Sequence, residues 1–326
     1  MNILLVRVSS LGDVLHNLPM VADILRRHPG ANIDWVVEEG YVSLVRLNRH
    51  VRKIIPFALR RWRKSLGQAA TRAEIRAFFK TLREEQYDYV FDTQGLLKTG
   101  IIMGAARLSS GGSKVGLANG SEGSGYEGIS RLFHTKSIPL DPRTHAVARG
   151  RLVAAAALGY SADSPPDFGL PGLDQSARPS WMPHEDYAVF FHGTARDAKK
   201  WAPDNWVAMG GALAPMPVLL AWGSPGEKQE AEALAARLPN ARVLPKLSMD
   251  EAVTLARNAA LAIGVDTGLT HIAAAFLRPT VELYCDSPKW KTEGNWSPRI
   301  INLGDKGAPP SADEAIAATR RLLGQS

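Results

Sequence analysis

The amino terminus sets the first constraint on the fold. Ile3-Leu4-Leu5-Val6 is a continuous apolar run of strand length, as expected of a strand buried on both faces. The run gives way to Val8-Ser9-Ser10-Leu11-Gly12-Asp13, after which Val14, Leu15, Leu18, Val21, Ala22 and Leu25 recur at helical spacing. A buried strand, a tight turn and an amphipathic helix in immediate succession are the opening of a parallel α/β sheet, because parallel strands need a crossover between them. Gly12 permits a close backbone approach that a side chain would block. Asp13 falls at the carboxyl end of the first strand, where open α/β sheets bind their ligands. An acidic residue there also suits a helix amino terminus. Position alone leaves capping and chemistry both open.

The pattern set by that first unit continues. Asn32–Val37 and Lys53–Pro56 read as strands, and Tyr41–Leu47 as a helix. Arg60 to Lys64 reads as a basic loop, followed by an amphipathic helix over Thr71–Glu85. Tyr89–Phe91 is a strand ending in Asp92-Thr93-Gln94-Gly95, and Leu96–Ala106 and His145–Leu158 are helices. Between them, the glycine-rich stretch from Gly111 to Gly128 reads as loop. A Pro/Ser/Asp-rich stretch, 161–183, breaks the alternation, as linkers do. It then restarts with strands at Tyr187–His192, Val218–Trp222, Arg242–Leu244, Leu261–Val265 and Thr280–Tyr284. Ser248-Met249-Asp250-Glu251 and Ser311-Ala312-Asp313-Glu314 are capping boxes that open helices. The expectation is an α/β protein of two βαβ domains, 1–160 and 184–326, joined by 161–183, with the last helix a candidate to pack back on the first domain.

Composition removes several classes of function. At 326 residues the chain is long for one domain and comfortable for two. No apolar run reaches membrane-spanning length. The start lacks a signal-peptide pattern, so secretion is not expected. A single cysteine, Cys285, excludes an internal disulfide framework. No zinc spacing, no G-x-G-x-x-G after the first strand, no phosphate-binding P-loop and no D-x-D pair is present. The net charge of +7 is local: eight Lys/Arg and no Asp/Glu lie between Arg46 and Lys64, and without that stretch acids and bases nearly balance. Such a patch implies an anionic partner. Within the basic loop Arg60 to Lys64 only Trp62 adds aromatic character, which speaks against nucleic acid.

Three strand-end loops of the second half carry chemistry. His192-Gly193-Thr194-Ala195-Arg196-Asp197-Ala198-Lys199-Lys200-Trp201 supplies a hydroxyl, backbone amides and lysines, which suit a diphosphate. Trp222-Gly223-Ser224-Pro225-Gly226-Glu227 supplies a carboxylate, either for ribose hydroxyls or for the following helix amino terminus. Gly264-Val265-Asp266-Thr267-Gly268-Leu269-Thr270-His271 packs glycine, hydroxyl and acid between a strand and a helix start. His271 alone reads equally as a structural histidine.

Several of these segments, taken together, resemble the ADP-heptose:lipopolysaccharide heptosyltransferases, glycosyltransferase family 9. The segments are Val8 to His16, Trp35-Val36-Val37-Glu38-Glu39, Arg60-Arg61-Trp62-Arg63-Lys64, Thr93-Gln94-Gly95-Leu96-Leu97-Lys98 and Val265 to His271. The resemblance runs through nearly the whole chain in the same order. It implies a GT-B fold: two Rossmann-like domains with parallel sheets facing across a central cleft, the first taking the acceptor and the second ADP-heptose. The implied reaction is inverting transfer of L-glycero-D-manno-heptose from ADP-heptose to Kdo of the lipopolysaccharide inner core. Members that add later heptoses, or related GT-B sugar transferases, are the runner-up; a nucleotide-sugar-binding protein without turnover comes after them.

The resemblance also assigns roles. Asp13 matches the general base and Lys199 a lysine beside the donor diphosphate, with Lys200 the adjacent cation. Thr194, Glu227, Asp266, Thr267, Gly268 and His271 match donor-binding positions. Arg60, Arg61, Arg63, Lys64 and Lys98 match basic acceptor positions, and Ser10 and Gly12, which flank the base, are expected to bind the acceptor with them. No cofactor and no obligatory metal are implied. The implied partners are ADP-heptose, Kdo-lipid A and the anionic surface of the inner membrane at its cytoplasmic face, with the protein a monomer. Two departures stand out: Ala195 where a second threonine is usual, and Tyr284-Cys285-Asp286-Ser287-Pro288 with the following Trp290-Lys291-Thr292-Glu293-Gly294.

Overall fold

The computed structural model describes residues 1–172 and 179–324, so part of the 161–183 linker expectation lies outside the described residues. The chain divides into two compact units, Met1–Gly169 and Leu170–Ser326. The first contains β1 (Asn2–Val6), α1 (Leu11–Arg27), β2 (Asn32–Glu38), α2 (Val42–Arg46), β3 (Val51–Phe57) and α3 (Leu59–Trp62). It continues with α4 (Ala69–Leu82), β4 (Gln86–Asp92), α5 (Leu97–Ala105), β5 (Arg107–Leu117), β6 (Lys136–Ile138) and α6 (Ala146–Leu158). Its sheet runs β3-β2-β1-β4-β5-β6, and every pairing is parallel. Ile3, Leu4, Leu5 and Val6 are fully buried, as the apolar run requires.

The second unit repeats the plan. It contains β7 (Ala188–Phe191), α7 (Pro203–Ala212), β8 (Val218–Leu220), α8 (Pro225–Ala235), β9 (Ala241–Val243) and α9 (Met249–Asn258). These are followed by β10 (Leu261–Val265), α10 (Gly268–Ala275), β11 (Thr280–Tyr284), β12 (Ile300–Gly304) and α11 (Ala312–Leu322). Its sheet, also parallel throughout, runs β12-β11-β10-β7-β8-β9. Each unit therefore reverses strand order between its first and fourth strands, β1 and β4 in one and β7 and β10 in the other. That is the Rossmann order, and it opens a crevice at the carboxyl ends of those two strands.

Two sequence expectations need correction, and two strands and the seat of the last helix are added to them. Arg60, Arg61 and Trp62 form the short helix α3 rather than a loop, because Trp62 is buried edge-on against Phe57 and Phe78. The stretch from Gly111 begins inside β5, which runs to Leu117. Two of its glycines, Gly112 and Gly116, serve close packing: a Cβ on Gly116 would collide with the His134 ring. The short strands β6 and β12 carried too little periodicity to read. The last helix buries Ala315 and Ala318 in the second unit's own core, beside Val281 and Leu283.

Candidate functional site

Each unit gathers polar side chains at its crevice. In the first, Arg7 follows β1 and Asp13 lies in the first turn of α1. Asp13 is not the N-cap; Ser10 is. The Asp13 carboxylate accepts from the Ser10 amide (3.1 Å) and hydroxyl (2.8 Å) through Oδ2, while Oδ1 meets Arg7 Nη2 at 2.7 Å. Burial pushes its pKa up, but Arg7 and the two Ser10 hydrogen bonds outweigh this and hold it at about 2. Asp13 is therefore ionised at neutral pH, able to accept a proton and held in one orientation. Ser10 and Gly12 share that first turn.

The loop after β4 closes on the same turn. Asp92, fully buried, accepts from the Gln94 and Gly95 amides (2.8 and 3.0 Å) and from Thr99 Oγ1 (2.8 Å). Gln94 Oε1 in turn accepts from the Val8 amide (3.0 Å), and Lys98 Nζ donates to Ser9 Oγ (3.2 Å). Beyond Lys98 lies a cavity of about 680 Å³ bounded by Glu38, Arg60, Arg63, Lys98, Leu97 and Ile101. Burial raises the Glu38 pKa against the Arg60 amide and charge, and burial with Arg60 and Arg63 lowers that of Lys98. Cations over an apolar floor suit an anionic, partly apolar ligand.

Space divides the basic run that is continuous in sequence. Arg52 forms a two-pronged pair with the fully buried Asp34 (2.9 and 2.8 Å), and Lys53 meets Glu84 at 2.7 Å. Arg61 pairs with Glu39 (3.1 Å) and Glu74 (2.8 Å), and Glu74 also accepts from the Trp62 indole (2.9 Å). Arg61 therefore ties α3 down. Arg60 and Arg63 line the cavity, and Lys64 lies exposed just after them.

In the second unit the loops after β7 and β10 meet. Lys199 Nζ lies 2.5 Å from Asp266 Oδ2. Asp266 Oδ1 faces His271 Nε2 at 3.0 Å and accepts from Thr292 Oγ1 at 3.2 Å. Burial opposes the charge on Asp266, but His271 and Lys199 hold its pKa well below the carboxylate range. Thr267 caps α10 with no side-chain cap bond, and Gly268 is the helix's first residue, so the amides of the first turn are available to an anion. Thr194 is half-buried in the β7 loop.

Two donor candidates have partners within their own unit. Lys200 is turned to Glu230 (2.6 Å) and Asp197 (2.7 Å), away from Asp266. Glu227 Oε2 accepts from the Gly223 and Ser224 amides (2.6 and 3.2 Å), completing the capping box of α8. Glu227 also packs on the β7 loop, for a Cβ on Gly193 would lie 2.7 Å from its carboxyl carbon.

Sequence reading missed Arg7 and Glu282. Both are charged residues in or just beyond apolar strand runs, Val6-Arg7-Val8 and Val281-Glu282-Leu283. A charge in a buried parallel strand needs a partner, which was the available signal. Among the described residues, no group of three or more His, Cys, Asp and Glu is arranged to hold a metal ion.

The second cluster carries a pH prediction. Burial disfavours the charged His271, but Glu282 and Asp266 outweigh it and raise its pKa to about 10. Stability from this group is complete below the ordinary histidine pKa of about 6.5 and is lost as pH rises toward 10. Each tenfold gain in proton affinity on folding is worth about 1.4 kcal/mol. The urea midpoint is expected to fall between pH 6.5 and pH 10, and a His271→Gln variant is expected to show a flatter profile. Identical profiles for the two proteins would contradict the assignment.

Comparison with known proteins is consistent over the whole chain. The family model for glycosyltransferase family 9 (heptosyltransferase) matches residues 75–317. Lipopolysaccharide heptosyltransferase 1 of Pseudomonas aeruginosa is 39% identical over 286 residues, covering 87% of this chain and 78% of that protein. The protein of the same name from Escherichia coli K12 is 37% identical over 289 residues, covering 87% and 88%. The solved structure of E. coli heptosyltransferase WaaC with ADP aligns over 100% of both chains with a TM-score of 0.83 and 31% identity. WaaC with ADP-2-deoxy-2-fluoro heptose aligns with a TM-score of 0.78 and 32% identity over 100% of this chain and 99% of that one.

Proposed function

The chain belongs to glycosyltransferase family 9, the heptosyltransferases, and from that premise we propose that it transfers L-glycero-D-manno-heptose from ADP-heptose to Kdo of the lipopolysaccharide inner core, with inversion. The observation that carries the donor half is the Lys199–Asp266–His271 cluster beside the amino terminus of α10. A diphosphate needs cations and free amides there, and both are present. In this reading the second unit takes ADP-heptose, Thr194, Thr267 and Gly268 surround it, and His271 supports the site from behind Asp266.

The first unit takes the acceptor. Asp13 removes the proton from the Kdo hydroxyl as that oxygen bonds to the anomeric carbon of heptose. The bond from that carbon to the diphosphate oxygen breaks, and ADP leaves. Lys199 and the α10 amides stabilise the charge that ADP gains. Lys199 can do this while touching Asp266, since an ammonium has three donors. Arg60, Arg63, Lys64 and Lys98 hold the acceptor's carboxylates and phosphates, with Ser10 and Gly12 beside the base.

No helix among the described residues is long and apolar enough to cross a membrane. Access to a lipid-linked acceptor then rests on peripheral contact with the anionic cytoplasmic face of the inner membrane, through the same basic surface. The chain works as a monomer and without a cofactor.

Arg60→Ala and Arg63→Ala are expected to raise the acceptor KM and leave donor affinity unchanged. Arg61→Ala, whose side chain is committed to Glu39 and Glu74, is expected to move acceptor KM least. Activity is expected to fall with salt, since exposed charges are screened beyond about 10 Å at 0.1 M. Steady-state kinetics on the three variants decide this; equal loss of ADP binding in Arg60→Ala or Arg63→Ala would count against an acceptor role.

A further inference from the structure

Glu282 is the most buried acidic side chain of the second cluster. It is fully inaccessible in the middle of β11, in register with Gly264 of β10 and Asn302 of β12. A carboxylate taken out of water is costly unless every oxygen is matched, and this one is matched. Oε1 faces His271 Nδ1 at 2.9 Å, and Oε2 accepts from the Tyr284 hydroxyl (2.9 Å) and the Gly294 amide (3.0 Å). The other ring nitrogen of His271 faces Asp266 at 3.0 Å.

This geometry constrains protonation. A neutral imidazole has one N–H, and an ionised carboxylate only accepts. A histidine set between two ionised carboxylates must carry protons on both nitrogens. The charged groups around it are Glu282 on β11, Asp266 after β10 and Lys199 from the β7 loop, with Tyr284 and Thr292 adding hydroxyls. The Tyr284-to-Gly294 segment thus closes the cluster: Thr292 reaches Asp266 and Gly294 reaches Glu282.

We propose that Glu282 is a positioning residue for the donor site, holding His271 as an imidazolium so that Asp266 is neutralised from behind and the Lys199 ammonium stays available to the diphosphate. The inference rests on the donor reading above. Without Glu282, a neutral His271 can still donate to Asp266, but the positive charge behind Asp266 is gone. Asp266 then holds Lys199 more tightly, and the site is less attractive to an anion.

The test is Glu282→Gln, which keeps the size and the hydrogen-bonding capacity of the side chain. His271 is followed by NMR of its ring nitrogens from pH 6 to 9, with His271→Gln to assign the signals, and ADP affinity is measured by calorimetry at each pH. In the unmodified chain His271 is expected to stay doubly protonated over most of that range. In Glu282→Gln it is expected to titrate within it, with ADP binding weakening by up to about tenfold per pH unit above the new pKa. Tyr284→Phe, which removes a different contact to Glu282, is expected to leave His271 protonated. A neutral His271 at pH 7 in the unmodified chain overturns the proposal, since Glu282 would then carry the proton. So does a Glu282→Gln protein that loses melting temperature while its ADP affinity keeps the unmodified pH profile, as a purely structural role would give. A chain with a doubly protonated His271 that binds no ADP overturns the donor reading instead.

Discussion

Asp13→Asn is expected to fold and bind ADP-heptose normally and to lose roughly 10²–10⁴ in kcat. The fold survives because the first turn of α1 keeps its Ser10 N-cap, and an asparagine oxygen can still accept from the Ser10 amide. What disappears is the negative charge and with it the proton acceptor. The Arg7 pair is also lost, and with it the interaction that holds Asp13 at about 2. A pKa that low makes Asp13 a poor base in bulk terms, so positioning must supply much of the effect. A thermal melt, a donor titration and a rate on this variant separate catalysis from capping. Near-normal turnover by a folded Asp13→Asn protein would leave Asp13 as part of a helix terminus only.

Lys199→Ala is expected to cost about 2–4 kcal/mol in the chemical step, the range for removing one preorganised stabiliser of developing negative charge. The structure sharpens the choice between the two adjacent lysines. Lys199 sits on Asp266 at the amino end of α10, whereas Lys200 is occupied by Glu230 and Asp197. Lys200→Ala is therefore expected to retain most of the activity. Rates at saturating ADP-heptose, with circular dichroism to confirm folding, test the pair. A crippled Lys200→Ala beside a mild Lys199→Ala would reverse the assignment.

Sheet architecture was legible in the sequence because buried parallel strands are continuous apolar runs: Ile3 to Val6 and Leu261 to Val265 are buried throughout. The capping boxes at Ser248 and Ser311 form with Glu251 and Glu314 as their spacing implies. Strands without such runs escaped. β5 is laced with glycines that meet Tyr87 and His134, and β6 has three residues. Of the site, the strand-end motifs carried Asp13, Lys199 and Asp266 to the crevices, since position along a βα unit determines position in the sheet. Pairing was not legible. Nothing in the order of residues tells that Arg61 is spent on Glu39 and Glu74, or that Glu282 reaches His271. These are contacts between elements, and charge runs in sequence are dispersed by folding.

The most direct test of the account is to incubate the protein with ADP-heptose and Kdo-lipid A and measure the mass of the lipid alongside the ADP released. The account predicts a lipid heavier by one heptose residue, with one ADP formed for each heptose transferred, and none with Asp13→Asn on the same timescale. An unchanged lipid mass, whether ADP-heptose stays intact or is merely hydrolysed, would contradict it.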